Sequence, residues 1–226
     1  MLKAIIFDCD GVIADSEPLH MATMQQVLAE EGITVSEETY YREYLALDDR
    51  GCFTKAFRDH QRSLTDDHLH ELITRKAARL EPVMQTHLRI FPGVAEFIRA
   101  ASASYSLAVA SGALRHEIEL ILRHAGVRDC FARIVSAEDV TRGKPDPESF
   151  LRAHAALSQS SDGPIAAHEC LVIEDSLHGV RAGKLAGMRV LAVTNSYPRE
   201  QLQAADAIIE SFAGLGVEDL AQLLQS

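Results

Sequence analysis

Short runs of aliphatic and β-branched residues recur along the chain, at 4–7, 107–110, 133–135, 171–173, 190–193 and 207–209. None alternates polar with apolar positions, so each predicts a strand covered on both faces. Helical patterns lie between them. In 117–125, Ile118, Ile121, Leu122 and Ala125 share one face, and Gly126 follows as a stop. A second helix is expected from about Gly179 to Ala186, ended by Gly187. Strand and helix in alternation predict an α/β fold with a doubly wound parallel sheet.

One stretch breaks the alternation. Between Glu17 and Thr86 no run reads as a strand, and helices are predicted at 18–31, 37–45 and 66–80. This is the pattern of a helical insert, with Pro92-Gly93 marking re-entry into the sheet domain. The expected division is 1–15 with 87–226 for the α/β core and 16–86 for the insert. Residues 158–164 read as a polar surface loop. No internal repeat or low-complexity linker interrupts the pattern.

Composition narrows the class. The chain has 226 residues, 47% of them hydrophobic, with mean hydropathy −0.03, as in a soluble globular protein large enough for a real core. A formal charge of −11 argues against nucleic acid or an anionic membrane as partner. It leaves room for a small anionic substrate, because a metal and a few local cations set the field in a pocket. Cys9, Cys52, Cys130 and Cys170 are scattered and form no Cys-x-x-Cys pair, which speaks against zinc. They are expected to be reduced thiols of a cytoplasmic protein. The first strand begins almost at Met1, leaving no room for a signal peptide, and no run is as long and apolar as a membrane helix.

The candidate chemistry sits where apolar runs end. The first run ends in Asp8 and Asp10, two carboxylates that cost desolvation and repulsion unless a cation or proton relieves them. Others end in Ser111-Gly112 and Glu174-Asp175-Ser176, and Lys144 stands alone in Gly143-Lys144-Pro145-Asp146-Pro147. Ligands of open parallel sheets bind at the strands' carboxyl ends, so these distant residues can converge. Asp8, Asp175 and Glu174 offer hard oxygen ligands suited to Mg²⁺, with Glu174 either a direct ligand or a supporting group. Ser111 and the amides after it, at an expected helix start, suit a phosphoryl oxygen, or Ser111 caps that helix. Lys144 supplies a point positive charge. Asp8 can attack phosphorus, and Asp10 can carry the proton. Ser176 is expected to cap the helix that follows it.

These four segments, in this order, resemble the motifs of the haloacid dehalogenase superfamily, and the resemblance spans nearly the whole chain. The longer stretches Asp15-Ser16-Glu17-Pro18-Leu19-His20 and Glu174-Asp175-Ser176-Leu177-His178-Gly179-Val180 resemble its phosphatases and β-phosphoglucomutases with a small helical cap. The resemblance implies a Rossmann-like core with that cap as the insert, closing over the site. It implies Asp8 as nucleophile and metal ligand, and Asp10 as general acid/base lending its backbone carbonyl to the metal. It implies Ser111, Gly112 and Lys144 as phosphate-binding residues, and Glu174 and Asp175 as holders of Mg²⁺. It also points to His20 and Arg50 as substrate-side residues of the cap. Within the superfamily, an Asp at the position of Asp10 goes with phosphate-ester chemistry rather than dehalogenation. Asp48 and Asp49, where mutases carry basic and small residues, depart from the mutase pattern.

The expected function is thus a Mg²⁺-dependent phosphatase of a small phosphorylated metabolite, such as a sugar phosphate, working through an aspartyl-phosphate. The alternatives are a phosphosugar mutase of the β-phosphoglucomutase type and a non-catalytic phosphometabolite sensor. No nucleic acid or membrane partner is expected. The oligomeric state stays open, a monomer being compatible with everything read here.

Overall fold

The apolar runs become strands because their residues lose nothing by being covered on both sides. In the computed structural model, which describes residues 2–45, 47–159 and 163–224, the chain opens with β1 (Ala4–Phe7) and the two-residue β2 (Ala14–Asp15). It passes through α1 (Glu17–Glu30), α2 (Glu37–Glu43), α3 (Asp49–Asp59) and α4 (Asp66–His87), and returns by β3 (Arg89–Ile90) and α5 (Val94–Ser102). Then come β4 (Ser106–Ala110), α6 (Arg115–His124), β5 (Arg133–Val135), α7 (Glu148–Ser158), β6 (Cys170–Glu174), α8 (Leu177–Leu185), β7 (Arg189–Val193), β8 (Ala207–Ile209) and α9 (Leu220–Leu223). The chain divides into two units, Met1–Asp15 with Arg89–Ser226 and Ser16–Leu88.

The first unit is built on a parallel sheet of order β5-β4-β1-β6-β7-β8. The four residues of β1 are buried without exception, and they alternate between two helical layers. Ala4 and Ile6 join Phe150, Ala153 and Leu157 of α7 and Val180 and Ala182 of α8. Phe7 points the other way, edge-on to Phe97 of α5 at 6.3 Å and to Phe131 at 5.6 Å. Helices therefore cover both faces, which is why the strand sequences show no polar alternation. The strand order reverses at β1, so the crevice for ligands falls at its carboxyl end. The short β2 and β3 pair antiparallel, Asp15 opposite Arg89, a ribbon too short to register as a pattern.

The second unit is helical, with a core of Met24, Val27 and Leu28 from α1, Tyr40 from α2, Phe53 and Phe57 from α3, and Leu69 and Leu72 from α4. Two expectations need correction. The helix α3 was not read from the sequence: its charged residues mask the apolar positions Cys52, Phe53, Ala56 and Phe57, which are buried. The helix expected to end at Leu80 continues to His87 through Pro82. Proline removes one helical hydrogen bond, but Pro82 lies on the exposed side and the continuation buries Met84. The expected loop at 158–164 begins inside α7, and residues 160–162 lie outside the described residues. Among the described residues no helix is long and apolar enough to cross a membrane.

Candidate active site

The parallel register brings the polar strand ends of the first unit together. Phe7 of β1 lies opposite Val109 of β4 and Ile173 of β6, so Asp8 comes level with Ala110 and Glu174. The Asp8 amide donates to the Ile173 carbonyl at 2.9 Å, extending the ladder one residue past the strand. The chain then turns sharply. Gly11 adopts φ +74, and a Cβ there would overlap the Asp175 carboxylate and the Ser196 hydroxyl, so only glycine permits this turn so close to Asp175.

Asp8, Glu174 and Asp175 each place a carboxylate oxygen within 4.8 Å of the others, and all three side chains are buried. Among the described residues, the cation that faces them is Lys144. Lys144 Nζ lies 2.8 Å from Asp8 Oδ1 and 2.7 Å from Glu174 Oε1, and 4.8 Å from the centroid of the Phe150 ring. The loop that presents Lys144 is pinned by Glu148, whose carboxylate accepts from the Thr141 hydroxyl at 2.9 Å and from the Arg142 amide at 3.1 Å. Those bonds, with Arg152 foremost, hold the Glu148 carboxyl down to about 2.

The charges do not balance, and the proton affinities show it. Burial pushes Asp8 up to about 7. Lys144 opposes that rise, while Glu174 and Asp10 add to it. Burial likewise raises Asp175 well above the carboxylate range, with Glu174 and Asp8 adding their repulsion. Burial alone would lower Lys144, but Asp8 and Glu174 more than offset it and hold the ammonium above its ordinary value. Three buried carboxylates around one ammonium form a donor set that fits a hard divalent cation, whose charge would remove the deficit.

The three carboxylates are not equivalent. Glu174 is already engaged. Its Oε2 accepts from the amides of Asp175 and Ser176, each at 2.8 Å, and from the Ser176 hydroxyl at 2.9 Å, while Oε1 takes Lys144. A Cβ at Gly179 would overlap this carboxylate, so α8 can begin beside it only with glycine at that position. Asp8 and Asp175 are therefore the freer donors. Ser176 caps α8 as expected, accepting from the Gly179 amide at 3.0 Å.

Ser111 is buried, and its hydroxyl accepts from the Ala113 amide at 3.1 Å, leaving its proton to donate; Gly112 beside it is exposed. The expected helix start at this point needs correction. The helix α6 begins at Arg115 with Leu114 as its cap residue, and Glu117 accepts from the Leu114 amide at 2.9 Å. The Ser111-Gly112-Ala113 turn thus stands ahead of the helix, and Ser111 is not its cap.

His20 and Arg50 belong to the second unit. His20 Nδ1 lies 2.9 Å from Lys76 Nζ, which also bonds Asp49. Burial, aided by the Lys76 charge, lowers His20 well below its ordinary value and keeps it neutral. The Arg50 side chain is 63% exposed and 4.0 Å from Asp66.

A family model for haloacid dehalogenase-like hydrolases matches residues 5–193. The chain belongs to this family. Hexitol phosphatase B of Escherichia coli is 29% identical over 224 residues, 97% of this chain and 96% of that protein. A CbbY variant from Rhodobacter sphaeroides, solved in complex with xylulose-(1,5)bisphosphate, is 27% identical, covers 97% of this chain and 99% of its own, and superposes with a TM-score of 0.85. A β-phosphoglucomutase from Clostridium difficile superposes with a TM-score of 0.86 at 22% identity, covering 100% of this chain and 98% of its own, which is a likeness of fold.

As a haloacid dehalogenase-like hydrolase the protein is an enzyme, and two residues of its site escaped the sequence reading. Asn195 and Ser196 follow β7. Asn195 Nδ2 donates to the Gly11 carbonyl at 2.7 Å, and the Ser196 hydroxyl donates to Asp175 Oδ2. The signal was present, since the apolar run 190–193 also ends in polar residues at a carboxyl strand end.

Proposed function

We propose that this protein is a Mg²⁺-dependent phosphatase of a small phosphorylated metabolite of the sugar- or polyol-phosphate class, working through a phosphorylated Asp8. The observation that carries this reading is the buried Asp8 carboxylate at the end of β1, held 2.8 Å from Lys144 and beside Asp175. The relatives named as a hexitol phosphatase and as a protein that binds a ketose bisphosphate support the substrate class.

When bound, Mg²⁺ would be held by Asp8 and Asp175, with Glu174 beside them, and would supply charge neutralisation for the phosphoryl oxygens. The chain's residues do the rest. An Asp8 oxygen attacks phosphorus as the ester bond to the alcohol oxygen breaks, and Asp10, two residues on, gives its proton to that oxygen. Water then attacks the phosphorus, Asp10 takes a proton from it, and the Asp8–phosphorus bond breaks. Lys144 and the Ser111 hydroxyl stabilise the charge on the transferring group. Hydrolysis is favoured over transfer to a second sugar hydroxyl because the segment where mutases carry a cationic loop is spent internally. Asp48 caps α3 through the Gly51 amide at 2.8 Å, and Asp49 pairs with Lys76. The buried, free Cys9, Cys52 and Cys170 are in keeping with a cytoplasmic setting.

The test is a phosphate-release screen over phosphorylated sugars, polyols and ketose bisphosphates, with Mg²⁺ and with EDTA. Release with Mg²⁺ alone, lost by roughly a thousandfold or more in a folded Asp8→Asn variant, is the expected result. Isomerised sugar phosphate without free phosphate would make the protein a mutase. Tight binding with no turnover of any compound would make it a sensor.

A further inference from the structure

We infer that Ser196 is a positioning residue for the metal carboxylate, a role resting on the reading of Asp175 as a cation ligand. Asp175 begins the loop between β6 and α8, and its backbone is fixed by the bond from its amide to Glu174. Its carboxylate would still be free to turn about the last side-chain bond. Ser196, on the loop after β7, removes that freedom by donating its hydroxyl proton to Oδ2. A carboxylate with one oxygen engaged offers the other in a single orientation, which is what a hard cation with strict geometry requires.

Two features hold Ser196 in place. Its neighbour Asn195 is anchored to the Gly11 carbonyl at 2.7 Å, so the β7 loop cannot swing away without breaking that bond. The space is also tight, because a side chain at Gly11 would collide with both Asp175 and Ser196. The loop after β7 therefore ties the turn that follows Asp8 and Asp10 to the carboxylate at the end of β6. No ligand role is needed for Ser196 itself.

The experiment compares wild type, Ser196→Ala, Ser196→Thr and Asp175→Asn by calorimetric Mg²⁺ titration of the full-length protein, with thermal unfolding in EDTA alongside. Ser196→Ala is expected to bind Mg²⁺ about 10- to 100-fold more weakly, to regain most of its turnover at saturating Mg²⁺, and to keep its KM for the phosphate ester. Ser196→Thr, which keeps the hydroxyl, is expected to bind like wild type. Mg²⁺ affinity in Ser196→Ala within twofold of wild type overturns the inference, as does a drop in unfolding temperature and turnover with unchanged Mg²⁺ affinity. Asp175→Asn binding Mg²⁺ as well as wild type would instead overturn the metal reading of Asp175, a separate failure.

Discussion

Two clusters of buried charge among the described residues are handled differently. At the carboxyl end of the parallel sheet, Asp8, Glu174 and Asp175 surround a single Lys144. In the helical unit, Lys76, with its side chain 1% exposed, is matched by Asp49 and a neutral His20. The second cluster closes its own charge. In the first, three carboxylates face one ammonium, and burial with mutual repulsion raises the proton affinities of Asp8 and Asp175. Burial of charge alone does not mark a reaction centre; an imbalance that a ligand would relieve does.

Removing the cation from each cluster gives the sharpest contrast. Lys144→Met is expected to cost about 3–5 kcal/mol at pH 8 and to abolish phosphate release, because it leaves Glu174, 0% exposed, and Asp8 without their ammonium. Lys76→Met is expected to cost less than about 1.5 kcal/mol, since the Asp49 side chain, 31% exposed, can hydrate at the first turn of α3. Urea unfolding of both variants checks this, and equal losses would break the comparison.

The next effect is a pH dependence. Asp8 rises from 3.8 to about 7 on folding without a cation, so the folded state binds its proton more tightly than the unfolded chain does. The contribution to stability is then greatest at low pH and is lost as pH climbs from about 4 to about 7. A cation that displaces this proton should stabilise little at pH 5 and clearly at pH 8. The readout is the unfolding temperature with Mg²⁺ minus that with EDTA, which cancels every titration the cation does not touch. An increment that is flat with pH would contradict the deficit assigned to the first cluster.

The smallest expected effect is that of Arg50→Ala. With its long, exposed contact to Asp66, the change should leave stability within about 0.5 kcal/mol by urea unfolding. Any substrate role of Arg50 would then show as a raised KM at unchanged stability.

Much of the first cluster was legible in the chain. Apolar runs ending in Asp8, Ser111 and Glu174-Asp175 announce polar residues at strand ends, and a parallel sheet gathers such ends on one edge. Lys144 was legible as an isolated cation between glycine and proline, although nothing local says which carboxylate it meets. The second cluster was not legible. Lys76 sits in a charged helical stretch, Asp67 to Arg79, whose composition looks solvent-facing, and the helix α3 that carries Asp49 was missed altogether. The start of α6 was misplaced because serine is a common cap, whereas here Glu117 bonds the Leu114 amide and does that work from inside the helix.

The sequence by itself determined the strands and the order of the chemical segments, because uninterrupted apolar runs predict burial wherever they end up. Tertiary structure alone decided which side chains touch. Strand order placed β1 between β4 and β6, and register set Asp8 level with Glu174. The same register decided that Glu174 spends its oxygens on Lys144 and the Asp175-Ser176 turn, and that Ser196, 21 residues after Asp175, returns to hold that carboxylate. Pattern is a property of neighbours along the chain, and pairing is a property of neighbours across the sheet, which the local pattern does not encode.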